Sequence, residues 1–287
     1  MVLPALAVVM VFSYFPMYGV LIAFQDYSVF KSMWAAPWVG FKHFRIFFES
    51  PELYVIMRNT LVISGLKIAI GFPAPIVLAL MLNEVKNMAF KRVVQTISYL
   101  PHFLSWVIVA NFTISMLASD NGSVNILLQS LNVIKEPVPW LSIPEYFWTI
   151  LVTANVWKEI GFASIVYLAA IASVDPHLYE SAAIDGASRF KMMYLITLPC
   201  IMPVVTVFFI LAVGNLLNAG FEDLLLFGVN PALRDVSDVI DTFVYRMGIN
   251  LNRYSFATAV GLFKAVVSVT LLIAANQLAR RTGNSLW

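Results

Sequence analysis

Asp175-Pro176-His177-Leu178-Tyr179-Glu180-Ser181-Ala182-Ala183-Ile184-Asp185-Gly186-Ala187 lies between two long apolar runs and reads as one short helix with both ends specified. Asp175 is a good N-cap, because its carboxylate can accept from the free N–H groups of a first turn, and Pro176 suits the first helical position, where no N–H is needed. Gly186 is the expected stop, since helices commonly end on a residue in the left-handed region that glycine enters without steric cost. The stretch predicts a helix of about ten residues that breaks sharply at a glycine. A second helical run then leads through Arg189, Lys191 and Ile196-Thr197-Leu198-Pro199 into apolar sequence. Small residues at 181–183 keep one face low, so the helix can lie close in a partner's groove.

Working outward, the flanking sequence sets the solvent. Of 287 residues, 60% are hydrophobic and 12% charged, whereas a soluble domain carries about 25% charged residues. The excess runs along the whole chain. A helix needs about 20 mostly apolar residues to cross the hydrocarbon core, and six stretches qualify: 2–24, 55–82, 97–117, 147–171, 201–221 and 257–278. The 22 Phe and seven Trp fit lipid contact and interfacial belts. The expected fold is an all-α polytopic membrane protein: six transmembrane helices in a single domain over 1–287, with the quoted helix on the connection between spans four and five. Residues 2–24 lack the positive leader of a secretory signal, so they read as a retained first span whose cytoplasmic leader is expected ahead of it.

Basic residues orient the spans. Lys86, Lys91 and Arg92 crowd the connection after span two, Arg189 and Lys191 that after span four, and Arg280 and Arg281 the tail. The other three connections hold similar numbers over about twice the length, which places both termini and the quoted helix in the cytoplasm. Of the external segments, 40–48 is amphipathic and 238–246 reads as a helical cap before span six. Either can pack over the bundle mouth or dock something external.

Several functions are disfavoured. A net charge of +2 without a basic run does not suit nucleic acid. The lone Cys200 excludes an internal disulfide and a cysteine-rich metal site. The sequence has no G-x-x-x-x-G-K-[ST], no H-E-x-x-H and no G-x-S-x-G, and His43, His102 and His177 are scattered, so neither an enzyme nor a metal site is expected.

The quoted helix also carries a family resemblance. Glu180, Ser181, Ala182, three residues, Gly186, nine residues and then Ile196, Leu198 and Pro199 reproduce the signature loop of binding-protein-dependent ABC permeases, with Ser181 where Ala is usual. The chain thus resembles that family, whose type I importer fold places such a coupling helix in a cleft of a cytoplasmic ATPase. The resemblance implies ATPase-coupling roles for Tyr179, Glu180, Ser181, Ala182, Ala183, Asp185 and Gly186. Four partners follow: a second, related permease chain, a pair of ATPase subunits that bind the ATP and Mg, an external solute-binding protein and an oligosaccharide. The implied location is a bacterial inner membrane, with no cofactor in this chain.

Further stretches are similar to the maltose-system carbohydrate branch, including permeases of alginate-type uronate and polysaccharide importers. They are Asn59-Thr60-Leu61 with Gly71-Phe72-Pro73-Ala74-Pro75, Tyr99-Leu100-Pro101-His102-Phe103 with Ser105-Trp106-Val107, Trp157-Lys158 before Gly161-Phe162, and Gly261-Leu262-Phe263-Lys264. The big external insertion of the larger maltose permease is missing.

Polar residues within the spans mark candidate path positions. Lys67, about halfway along span two, is either a cation lining the path of an acidic sugar or a structural lysine bound to a partner or a carbonyl. Asn111, Asn155, Trp157, Asn215 and Asn218 offer amides and an aromatic face to a sugar, although Asn also serves as glue between helices. Lys264 is expected to snorkel, Glu159 to be softened by Lys158, and Glu222 and Asp223 to be hydrated at the outer end of span five. Pro73 and Pro75 should kink span two, while Gly214 and Gly220 allow close approach or flexing of span five. An ion-driven secondary transporter is the competing reading, but it needs repeat-related broken helices and a central acid. An intramembrane enzyme or assembly factor is a third.

Overall fold

The computed structural model describes residues 2–30 and 32–280. Arg281, used in the charge reading, lies outside the described residues. Among the described residues, five helices are long and apolar enough to cross a membrane: α1 (Val2–Phe24), followed after the short α2 (Lys42–Phe48) by α3 (Leu53–Glu84), and then, beyond intervening elements, Pro144–Ala172, Arg189–Gly214 and Tyr254–Arg280. A bent pair, α4 (Met88–Phe103) and α5 (Trp106–Met116), supplies a broken sixth. The order continues with α6 (Ser123–Ser130), α7 (Pro144–Ala172), α8 (Pro176–Ile184), α9 (Arg189–Gly214), α10 (Glu222–Phe227), α11 (Arg234–Ser237), α12 (Ile240–Tyr245) and α13 (Tyr254–Arg280).

Spans one, two, four and six match the sequence reading to within three residues at each end. Span three does not run straight: α4 and α5 meet at 105°. Pro101 cannot donate to a helix ladder, and Ser105 starts a new helix by accepting from the Ile108 N–H at 3.4 Å. Span five is also displaced. It begins at Arg189 and ends at Gly214, so residues 215–221, expected inside the span, form a non-helical link to α10. Pro73 in α3 is accommodated by a widened turn at Lys67–Gly71, the kind of local adjustment that re-satisfies a ladder deprived of one donor.

α1 is tightened over Phe15–Phe24, with Pro16 in the first turn of that stretch. Its second half lies along α13, while residues 2–17 are exposed. Beyond it, Lys42 bonds Asp26 at 2.6 Å and holds that carboxyl below its ordinary range. The amphipathic α2 lies on the bundle: Phe47 is fully buried against Phe243, Phe256 and Phe263.

The core concentrates at the end opposite α8. There Ile63, Val109, Leu151, Leu224 and Val239 gather from α3, α5, α7 and the segment after the break. Two buried asparagines tie loop backbone to it. Asn125 binds Ala118 O, Ser119 O and both backbone groups of Val138, and accepts from Trp140 Nε1 at 2.8 Å. Asn59 on α3 donates to Asp235 O at 3.0 Å and Asp238 O at 2.9 Å, fastening the α11–α12 cap to the second span. Replacing Asn59 by Leu removes both donors. It is expected to destabilise the protein by about 1–3 kcal/mol, read as a lowered thermal midpoint in detergent, and an unchanged midpoint would show that the cap is held otherwise.

Candidate functional site

Two places gather the residues singled out in the sequence. The first is α8, which has the ends read from its sequence. Asp175 Oδ1 accepts from the His177 N–H at 2.9 Å. Gly186 sits at φ +74°, and the Gly186 and Ala187 N–H groups close back on Ala183 O and Ala182 O. That double closure is the left-handed stop in which glycine alone avoids strain. Tyr179 and Ala182 turn toward the protein, whereas Glu180, Ser181, Ala183, Asp185 and Gly186 are exposed and free to meet another surface. Ile184 is 87% exposed. The Tyr179 hydroxyl hydrogen-bonds Thr197 Oγ1 at 2.9 Å, and Arg189 reaches Glu84 at 3.4 Å. These contacts tie α8 to the base of α9, and α9 to the end of α3.

The second place is a cavity of about 280 Å³ between α3, α7 and the end of α9. It brings together Lys67, Asn155, Asn215 and Asn218, four of the six path candidates. The other two lie elsewhere. Asn111 is exposed and donates to Val107 O of its own helix. Trp157 stacks on Phe112 with centroids 6.0 Å apart and lines a separate, mostly apolar cavity between α5 and α7.

The electrostatics of the central cavity follow from the break in span five. Ending α9 at Gly214 leaves backbone carbonyls without helical partners, and in a membrane these must be satisfied by protein. Lys67 Nζ donates to Ala219 O at 2.7 Å and to Asp223 Oδ2 at 2.5 Å. Asp223, expected to be hydrated, is buried at 2% exposure, and its carboxylate occupies the space a Cβ on Gly220 would need. Gly220 is held at φ +114°. Lys67 is therefore the structural lysine of the two readings, paired and carbonyl-bonded, although its stem borders the cavity. Lys264 likewise does not snorkel; it pairs with Asp241 and approaches Asn218 Oδ1 at 3.5 Å.

The bend in span three is fastened the same way. Lys158 Nζ donates to His102 O at 2.6 Å and lies 3.6 Å from Glu159 Oε1, while Glu159 Oε2 meets His102 Nδ1 at 2.8 Å. His102 stacks flat on Phe162 at 3.8 Å. Glu159 reaches the central cavity, as do Phe72 and Ser64, none of them a candidate from sequence. Ser64 Oγ is buried with no partner among the described residues. Asn155, Asn215, Asn218 and Ser64 thus line a hydroxyl-sized set of donors and acceptors beside an aromatic ring, with the one cation already engaged.

Comparison with known proteins agrees with this architecture. Residues 71–284 match the family described as binding-protein-dependent transport system inner membrane component. The Bacillus subtilis protein LplB is 44% identical over 281 residues, covering 98% of this chain and 87% of the relative. A polygalacturonan/rhamnogalacturonan transport system permease, YteP, from the same organism is 44% identical over 283 residues, covering 99% and 87%. Among solved structures, a chain of a bacterial ABC transporter involved in the import of the acidic polysaccharide alginate superposes with TM-score 0.90 at 44% identity, over 98% of this chain and 94% of that one. A second, crystallised with an alginate pentasaccharide-bound periplasmic protein, gives TM-score 0.91 at 43% identity over 99% and 94%.

Removing either member of the Lys67–Asp223 pair strands a buried charge, at a cost of about 3–5 kcal/mol. Lys67→Met and Asp223→Leu are each expected to lower the thermal midpoint of the solubilised protein strongly, and the double variant to recover a large part of the loss. Additive losses would show that the two side chains act independently.

Proposed function

This chain belongs to the binding-protein-dependent transport system inner membrane component family, and we propose that it forms half of the translocation pathway of an ATP-driven importer for oligo- or polysaccharide. The observation that carries the reading is the exposed, glycine-stopped α8, hung from the base of α9 by Tyr179 and presenting Glu180, Ser181 and Ile184 outward. An exposed helix with a low face and an unpartnered isoleucine suits the groove of another subunit. The names of the relatives support a saccharide, and the two alginate transporter structures support an acidic one for this branch.

In this reading the whole chain is one permease domain without catalytic residues of its own. The ATP and Mg reside on a pair of ATPase subunits, a second related permease completes the pathway, and an external binding protein delivers the sugar. α8 and both termini face the cytoplasm of a bacterial inner membrane, in keeping with the dense basic residues at 86–92 and 189–191. ATPase closure would push α8, and the Tyr179–Thr197 and Arg189–Glu84 contacts would carry that motion into α9 and α3, which wall the central cavity. There the amides of Asn155, Asn215 and Asn218 offer hydrogen bonds to sugar hydroxyls. An ion-driven mechanism would leave α8 without a role.

The test is ATPase activity of the reconstituted complex with and without the loaded binding protein. Glu180→Lys and Gly186→Pro are expected to reduce stimulation by about tenfold or more while basal hydrolysis persists. Unchanged stimulation in both variants would reduce α8 to a connector and reopen the ion-driven alternative.

A further inference from the structure

A second cavity of about 300 Å³ lies among the short helices that follow the break in span five. On α10, Asp223 bonds Lys67, which lines the central cavity, while the adjacent Leu224 and Leu225 line the second space. Arg234 and Arg246 enter it, accompanied by Asp238, Tyr245 and Asn250.

The acids here are fully engaged. Glu52 Oε1 accepts from Arg234 Nη2 at 3.1 Å and its Oε2 from Arg246 Nη2 at 3.3 Å. Asp238 Oδ2 accepts from Arg246 Nη2 at 2.6 Å, and its Oδ1 from the Thr242 hydroxyl at 2.7 Å. The arginines are not exhausted. A guanidinium carries five N–H donors. Among the described residues, Arg246 Nε and Nη1 and Arg234 Nη1 have no hydrogen-bond partner. Arg58 and Asp235 flank this network but do not line the cavity. The two acids therefore fix the position of the two guanidinium groups and leave donors pointing elsewhere, the arrangement that suits a planar, two-oxygen anion. The phenol of Tyr245, whose ring packs on Phe221 at 5.2 Å, and the amide of Asn250 add hydroxyl-binding groups beside them.

We propose that this cavity is a subsite for a carboxylate-bearing sugar unit: Arg234 and Arg246 take the carboxylate, and Tyr245 and Asn250 take ring hydroxyls. The proposal rests on the saccharide-permease reading above and adds where on this chain acidity is recognised. The central cavity is unsuited to that task, because the Lys67 ammonium is held by Asp223 and Ala219 O.

The complex in lipid nanodiscs, without binding protein, is titrated with a uronate pentasaccharide and with the same saccharide after reduction of its carboxyl groups to alcohols. The native complex is expected to bind the uronate form about tenfold more tightly, as a charge-assisted contact predicts. Arg234→Gln, at a half-exposed position, is expected to bring the two forms to parity. Asn250→Ala should weaken both forms equally and keep the preference. Parity in the native complex, no binding of either form, or a preference that survives Arg234→Gln would each overturn the subsite. Binding-protein-stimulated ATPase measured on the same preparation separates the two failures. Stimulation without uronate preference overturns the subsite alone, and no stimulation overturns the importer reading.

Discussion

A backbone carbonyl midway along a membrane-spanning bundle has no water to turn to, and the architecture of this chain depends on how two such carbonyls are satisfied. Span three breaks between Phe103 and Trp106, and span five ends at Gly214. Each break exposes a carbonyl, and each carbonyl accepts from a lysine on a neighbouring continuous helix: His102 O from Lys158 and Ala219 O from Lys67. Each lysine is balanced by a carboxylate, Glu159 at 3.6 Å and Asp223 at 2.5 Å. An ammonium suits the role because it is a compact charge with three rotatable donors, able to serve a carbonyl and an acid together. Without these two lysines the non-helical backbone at the centre of the bundle would carry unsatisfied groups costing several kcal/mol each.

That constraint also explains which features were legible in the sequence. α8 is specified within a dozen residues, by Asp175 at one end and Gly186 at the other, so local reading recovered both of its ends. The central spans were located by apolar composition, which is indifferent to direction, and composition kept span five running through Leu216, Leu217, Ala219 and Phe221. The donors that serve the two breaks come from far away in sequence: Lys67 lies 152 residues from Ala219, and Lys158 lies 56 from His102. Misplacing that end moved Asp223 from the interior to an assumed hydrated rim, and so concealed the partner of Lys67. Pro101 and Ser105 were visible local signals for the bend in span three and outweigh the apolar run around them.

The candidate path residues divide along the same line. Asn155, Asn215 and Asn218 converge because α7 and the end of α9 face the widened turn of α3. Asn111 and Trp157 sit on faces of α5 and α7 that look away from it, one bonded to its own helix and the other stacked on Phe112. Helical periodicity alone separates Asn155 from Trp157, two positions apart and some 200° around the helix. Which of the two faces the cavity is decided by the neighbours, and the neighbours are arranged by the breaks.

A pathway built this way has a consequence for how charge can be recognised. A free cation midway through the membrane would have to be desolvated without a partner, and burying one unpaired charge is far costlier than burying a neutralised pair. Lys67 and Lys158 are stable at that depth because they are already engaged, and being engaged they have little left for a passing anion. Amides and hydroxyls carry no such penalty when they exchange water for sugar, which suits the centre of a path that must both fill and empty. Recognition of a carboxylate is better placed where guanidinium groups stay partly hydrated. Arg234 and Arg246, with side chains 51% and 23% exposed, meet that condition while Glu52 and Asp238 hold them in position. On the proposed reading, neutral amides at the central cavity and arginines oriented by Glu52 and Asp238 at the second are two answers to one dielectric problem.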